Sequence, residues 1–203
     1  MPSQPPPSIE TEFVERVQRE HARECGVTHP PGLLRRLAAW RDGQLVRRAL
    51  KTAGEPGLVL DLACGAGRFW PVLAEYANRV ILASDPSQSM LDHAGSHHSA
   101  TLLKRIRIFR GSAFSIELPA NAVDCIFCME LFRHVPTSEA RMALLAEFQR
   151  VSRDTVIVSV KRDGHSHAGI EGEFRQAGFK ILGHQELLPG AALWRVYVLR
   201  KRG

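Results

Sequence analysis

Residues 58–75 read LVLDLACGAGRFWPVLAE. An apolar run ends in Asp61. Ala63, Cys64, Gly65, Ala66 and Gly67 then carry only small side chains, and a helical pattern begins at Arg68. The run LVLDL reads as a buried strand. RFWPVLAEYA reads as a helix with Phe69, Val72, Leu73 and Tyr76 on one face. Pro71 falls in its first turn, where a missing amide costs little. Small residues between a strand and a helix are expected where backbone comes very close to something.

The same alternation continues outward from this turn. RVILAS reads as a strand, followed by a short helix starting near Pro86. RIRIF alternates Ile106 and Ile108 with arginines, as an edge strand would. VDCIFCM and TVIVSV are near-continuous apolar runs, which fits central parallel strands. Between them, SEARMALLAEFQRV has Leu144, Leu145, Phe148 and Val151 at inward helical spacing. IEGEFRQAGF predicts a further helix stopped by Gly178. FKILGHQEL and LWRVYVLRK are two last strands joined by a loop with Pro189 and Gly190. With no helix between them, at least one is expected to be antiparallel. Strands alternating with helices predict a doubly wound α/β sheet.

Upstream, Ile9, Phe13, Val14 and Val17 recur at helical spacing before Gly26, and two amphipathic runs follow THPPG, one over Leu33–Trp40 and one over Leu45–Leu50. The expected organisation is a flexible tail over 1–8, a helical segment over 9–54 and the α/β domain over 55–203. A chain of 203 residues fits one domain with a full core. No apolar run approaches a membrane span. MPSQPPPS has neither a basic start nor an apolar h-region, so it does not read as a secretory signal, and a cytoplasmic protein is expected. In that compartment the four cysteines should be thiols. Cys125 and Cys128 form a CxxC inside a strand, where residues three apart face opposite ways. That geometry cannot chelate, and no metal is predicted there or at His97 and His98.

In such a sheet a ligand sits beyond the carboxyl ends of the strands, where the strand order reverses. A P-loop is excluded, because no Lys-Ser or Lys-Thr follows the glycines. A dinucleotide site asks for a third glycine where Trp70 stands, and Asp61 would face a pyrophosphate. S-adenosylmethionine has no phosphate. Its ammonium and sulfonium suit Asp61, and its ribose hydroxyls suit a carboxylate ending the second strand, where Asp85 stands.

VLDLACGAGRF resembles the first motif of the class I S-adenosylmethionine-dependent methyltransferases, in their small-molecule, type 11/25-like branch. ASDPSQSML resembles the acidic motif of their second strand, GSAFSIELPANAVDCIFCMELFRHV their adenine-side loop and fourth strand, and EFQRVSRDTVIVSVK the helix leading into the fifth. The resemblance spans about residues 55–200. It implies a mostly parallel seven-stranded sheet of Rossmann-like kind, with an antiparallel carboxyl-terminal strand and amino-terminal helices over the acceptor. It implies that Asp61, Ala63 and Gly65 line the methionine moiety, with Cys64 and Gly67 shaping the turn. Asp85 would take the ribose hydroxyls, Pro86 and Met90 would pack near adenine, and Met129 would help to cover the cofactor. Ala63 stands where glycine is usual. Ser112 stands where an aspartate commonly binds the adenine amino group, and the Ala113 amide would meet the ring.

The acceptor is less legible. Glu130 and His134, in MELFRHVP, are the candidate bases if the acceptor must lose a proton; His165 and His167 are lesser ones. CMEL stands where the resemblance would mark adenine or glutamine-amide methylases by an NPPY-like tetrad. The formal charge is +6. Arginine forks at Arg35, Arg36, Arg41, Arg47 and Arg48 would suit an anionic small molecule or an envelope glycan precursor. Lys104, Arg105, Arg107, Arg110, Arg200, Lys201 and Arg202 keep an RNA acceptor open. The third reading is a regulatory protein on this scaffold that binds a nucleotide signal or a partner protein.

Overall fold

A computed structural model describes residues 32–161, 167–186 and 194–202. The expected tail over 1–8, the helical pattern over 9–25, His165 and the loop with Pro189 and Gly190 lie outside the described residues. Helix α1 (Gly32–Thr52) leads into β1 (Leu58–Leu62), α2 (Trp70–Leu73), β2 (Val80–Asp85), α3 (Gln88–His97), α4 (Ala100–Leu103) and β3 (Ile106–Arg110). Then come β4 (Val123–Cys128), a 3-10 turn (Leu131–His134), α5 (Ser138–Val151), β5 (Ser152–Lys161), α6 (His167–Gln176), β6 (Phe179–Glu186) and β7 (Trp194–Lys201).

The strands form one sheet in the order β3-β2-β1-β4-β5-β7-β6. β1 pairs in parallel with both β2 and β4, and β7 is antiparallel to both β5 and β6. The chain moves outward from β1 to β3, then returns to β4 on the other side of β1. The order reverses there, which opens a crevice at the carboxyl ends of these strands. RIRIF is an edge strand, and the two apolar runs are central ones, as their patterns predict.

Alternation along the strands sends side chains to two cores. Leu60, Leu62, Ile126 and Cys128 face α5 and α6, together with Leu144, Leu145 and Phe148. Val59, Cys125 and Phe127 face the other way, with Trp70, Leu73 and Ala94, and with Val46, Ala49 and Leu50 of α1. The two cysteines of the CxxC therefore lie on opposite faces. Burial pushes the Cys125 thiol up to about 12 and the Cys128 thiol well above the usual range, so both stay protonated.

Two elements differ from their sequence patterns. The runs over Leu33–Trp40 and Leu45–Leu50 merge into one helix of 21 residues. Gly43 does not interrupt it; a Cβ there would meet Arg47 at 3.3 Å and Val72 at 3.5 Å, so the glycine permits close helix packing. Gly54 ends the helix in the left-handed region (φ 85°), with the Glu55 amide donating back to Leu50 O at 2.9 Å. The helix after the glycine turn is only Trp70–Leu73. Leu73 is buried and Phe69 and Val72 pack against the core, as the helical face predicts, whereas Tyr76 is exposed and Trp70 is buried. No described helix is long and apolar enough to cross a membrane.

Candidate active site

The turn after β1 is the origin of the site. Ala63, Gly65 and Gly67 all have positive φ (57°, 54° and 72°), so the chain doubles back tightly. The Cys64 amide donates to Ser84 O at 3.1 Å, which fastens the turn to β2. Gly67 has a specific reason to lack a side chain: a Cβ there would lie 2.4 Å from the Trp70 ring. Gly65 instead faces Met90, whose terminal carbon a Cβ would meet at 3.5 Å. The small residues thus serve two purposes, packing on Trp70 and an open approach to the crevice. Ala63 does the same work with a side chain in a region that L residues rarely occupy.

Two carboxylates flank the turn. The Gly65 amide donates to Asp85 Oδ2 and the Ser87 amide to Asp85 Oδ1, each at 2.9 Å. Trp70 Nε1 donates to Asp61 Oδ2 at 3.0 Å. Burial raises the Asp61 carboxyl to about 8; the Trp70 bond opposes this and the charge of Asp85 adds to it. Burial also pushes the Cys64 thiol up, with the charges of both aspartates behind it.

These groups line a cavity of ≈ 220 Å³. Asp61, Ala63, Cys64 and Gly65 form its floor, Asp85, Pro86 and Met90 one wall, and Met129, Glu130 and His134 the other. Gly67, Ser112 and Ala113 do not line it. The Ser112 hydroxyl accepts from the Phe114 amide at 3.1 Å, and Ala113 is buried in the core beneath α5. Arg68, Phe69 and Arg133 line the cavity without having been singled out from sequence. Their positions, at the start of the helix after the turn and beside Glu130, were the available signal.

Glu130 has φ 67°, a strained conformation for a residue with a side chain. Its amide donates to Ser159 Oγ at 2.7 Å, which holds it at the lip. Its carboxylate meets Arg68 at 3.3 Å and Arg133 at 4.0 Å. His134 is buried, and its Nε2 accepts from Arg133 Nε at 2.8 Å. That lone pair is engaged by a cation.

A second cavity of ≈ 170 Å³ adjoins the first. The two share Arg68, Phe69, Met129 and Glu130 as a common wall. The far side is formed by Arg41, Asp42 and Leu45 of α1, Ser159 of β5 and Val196 of β7. Among the described residues no group of three or more His, Cys, Asp or Glu could hold a metal ion.

A doubly wound sheet with carboxylates ending β1 and β2 beside a glycine turn defines a Rossmann-like, nucleoside-binding protein. The profile of the family described as "Methyltransferase domain" matches residues 59–155. That match supports a class I S-adenosylmethionine-dependent methyltransferase of the type 11/25 kind. Its fold is similar to that of magnesium protoporphyrin IX methyltransferase from Synechocystis PCC 6803, solved with bound S-adenosylmethionine: TM-score 0.73, 17% identity, over 98% of this chain and 100% of that one. It is also similar to a methyltransferase from Aquifex aeolicus, with TM-score 0.58 and 22% identity over 70% of this chain and 81% of that one. A third is from Clostridium acetobutylicum ATCC 824, with TM-score 0.65 and 14% identity over 82% and 92%. No curated protein matches the chain in sequence.

Proposed function

We propose that the first cavity holds S-adenosylmethionine and that the second admits a small anionic acceptor, such as an anionic metabolite or an envelope glycan precursor. The observation that carries this reading is the pair of carboxylates at the ends of β1 and β2, with Asp85 fastened to the turn through Gly65. The donor set fits the group: the floor presents carboxylates and small residues. Asp85 takes the ribose hydroxyls while it holds the turn, since a carboxylate has about four acceptor sites. Asp61, Ala63 and Gly65 border the methionine end, with Cys64 and Gly67 shaping the turn. Pro86 and Met90 flank adenine, and Met129 covers the centre.

When bound, the cofactor supplies a methyl group on a sulfonium, which passes to an acceptor lone pair in line with the departing thioether. The protein's part is largely positioning, which removes much of the barrier. Glu130, on the wall common to both cavities, receives the acceptor's proton where one must leave. Residues 55–203 form the cofactor domain, and α1, within the segment 9–54, borders the acceptor side through Arg41, Asp42 and Leu45. An RNA acceptor has less support. Arg105 donates to the carbonyls of Ala74, Tyr76 and Ala77, Arg110 donates to Pro86 O, and Arg47 is paired with Glu75. These cations are occupied within the protein rather than offered to a phosphate backbone.

Calorimetry with S-adenosylhomocysteine tests the cofactor geometry. The wild-type chain should bind it, and D85A should weaken binding about 100-fold or more, two hydrogen bonds to a charged group being worth roughly 1.5–3 kcal/mol each. Wild-type protein that binds nothing, or D85A that binds equally well, would overturn the assignment.

A further inference from the structure

The charged side chains of the second cavity are unevenly matched. Asp42 pairs with Arg68. Glu130 pairs with Arg68 and lies against Arg133. Both carboxylates are thereby committed to guanidinium groups. Arg41 is the exception: its Nε is buried without a hydrogen-bond partner, and Arg41 makes no hydrogen bond or ion pair with any described residue. Withdrawing a guanidinium donor from water without a partner is costly, and an anion at that point restores the lost interaction. The cavity is otherwise lined in part by apolar side chains, those of Leu45, Phe69, Met129 and Val196. Arg41 is thus a single uncompensated cation at one side of a small, partly apolar chamber whose opposite wall is also the wall of the cofactor cavity.

We infer that Arg41 seats the carboxylate of the methyl acceptor, and that the acceptor is a small monocarboxylate with an apolar body. This rests on the proposed cofactor site and names the acceptor class for it. The planar guanidinium fork matches a carboxylate with two parallel hydrogen bonds. The one guanidinium of this cavity without a partner among the described residues matches one negative charge. A phosphate dianion would bring a second charge close to Asp42 and Glu130, which repel it. The apolar lining receives the body of the acceptor. Its reacting atom then points at Met129 and Glu130, where the two cavities meet.

The test uses the full chain and two titrations in sequence. S-adenosylhomocysteine is titrated first; if it does not bind, the cofactor reading fails and this inference falls with it. Protein saturated with S-adenosylhomocysteine is then titrated with benzoate, with its neutral isostere benzamide and with phenyl phosphate. Benzoate should bind about tenfold or more tightly than benzamide, as a charge-assisted bidentate contact requires. Phenyl phosphate should bind more weakly than benzoate. R41Q should abolish the preference for benzoate while leaving the affinity for S-adenosylhomocysteine within about twofold, which also reports that the variant is folded. R41K, a point charge without the fork, should keep only part of the preference. The inference is overturned if S-adenosylhomocysteine binds and benzoate shows no advantage over benzamide. It is equally overturned if R41Q retains that advantage, or if phenyl phosphate binds best.

Discussion

The two faces of the sheet are built differently. The face under α5 and α6 is held by large apolar side chains in mutual contact. Phe132 meets Phe148 and Phe174 edge-on at centroid distances of 6.4 and 6.0 Å, and Phe174 meets Tyr197 at 5.3 Å. A deep ion pair, Arg141 with Glu173 at 2.7 Å, ties α5 to α6. On the opposite face α2 and α4 have four residues each, and much of the cohesion is polar and directed at backbone. Trp70 caps Asp61 there, and Arg79, almost wholly buried, donates to Pro56 O and Leu73 O, both at 2.9 Å. One layer gains stability from buried area. The other gives its packing to the shape of a turn and a crevice. Stability and ligand binding should therefore respond to different substitutions.

The largest expected effect is on the aromatic face. F174A removes a fully buried ring and should cost about 3–5 kcal/mol in chemical denaturation. Below its transition it should still bind S-adenosylhomocysteine within about twofold of wild type. A parallel collapse of affinity would show that the two layers do not act separately.

A smaller effect, with opposite signs for stability and binding, belongs to Asp61. Its folded-state carboxyl is raised to about 8 by burial, so the folded protein holds that proton more tightly than the unfolded chain does. Stability of the unliganded protein should therefore fall as pH rises from the ordinary carboxylate range, near 4, through about 8. Affinity for S-adenosylhomocysteine should rise over pH 6–8, because its ammonium prefers the ionised carboxylate. D61N should flatten both profiles, as read by denaturation and calorimetry across that range. Unchanged slopes in D61N would remove Asp61 from the methionine end.

The smallest effect is expected at the turn. A63G relieves a left-handed alanine and should stabilise the protein by roughly 0.5–1 kcal/mol, a rise in melting temperature with little change in affinity.

The parallel sheet was legible because strands buried on both faces are nearly continuous in Val, Ile, Leu and Phe, and such runs leave few alternatives. Asp61 and Asp85 were legible because each directly ends such a run. Trp70 was not: in one dimension it only occupies the place of a third glycine, and its roles over Gly67 and against Asp61 exist once the chain has folded back. Gly43 could not be told from a helix break, because its neighbour Val72 comes from another element. Arg41 was one arginine among five in α1. What singles it out is that Arg47 finds Glu75 and Asp42 finds Arg68, pairings made across 26 or more positions. The hydroxyl of Ser112 could be assigned to a ligand from sequence, whereas the fold engages it with the Phe114 amide.

The placement of β7 between β5 and β6 has a consequence for biosynthesis. As the polypeptide leaves the ribosome, β5 emerges with one side of its ladder unmatched, and β6 follows with no strand to pair with until Trp194–Lys201 arrives. A nascent chain arrested or clipped before that point carries a long apolar border of the kind that recruits other chains. Release of the last strand is thus the step that closes the molecule against aggregation.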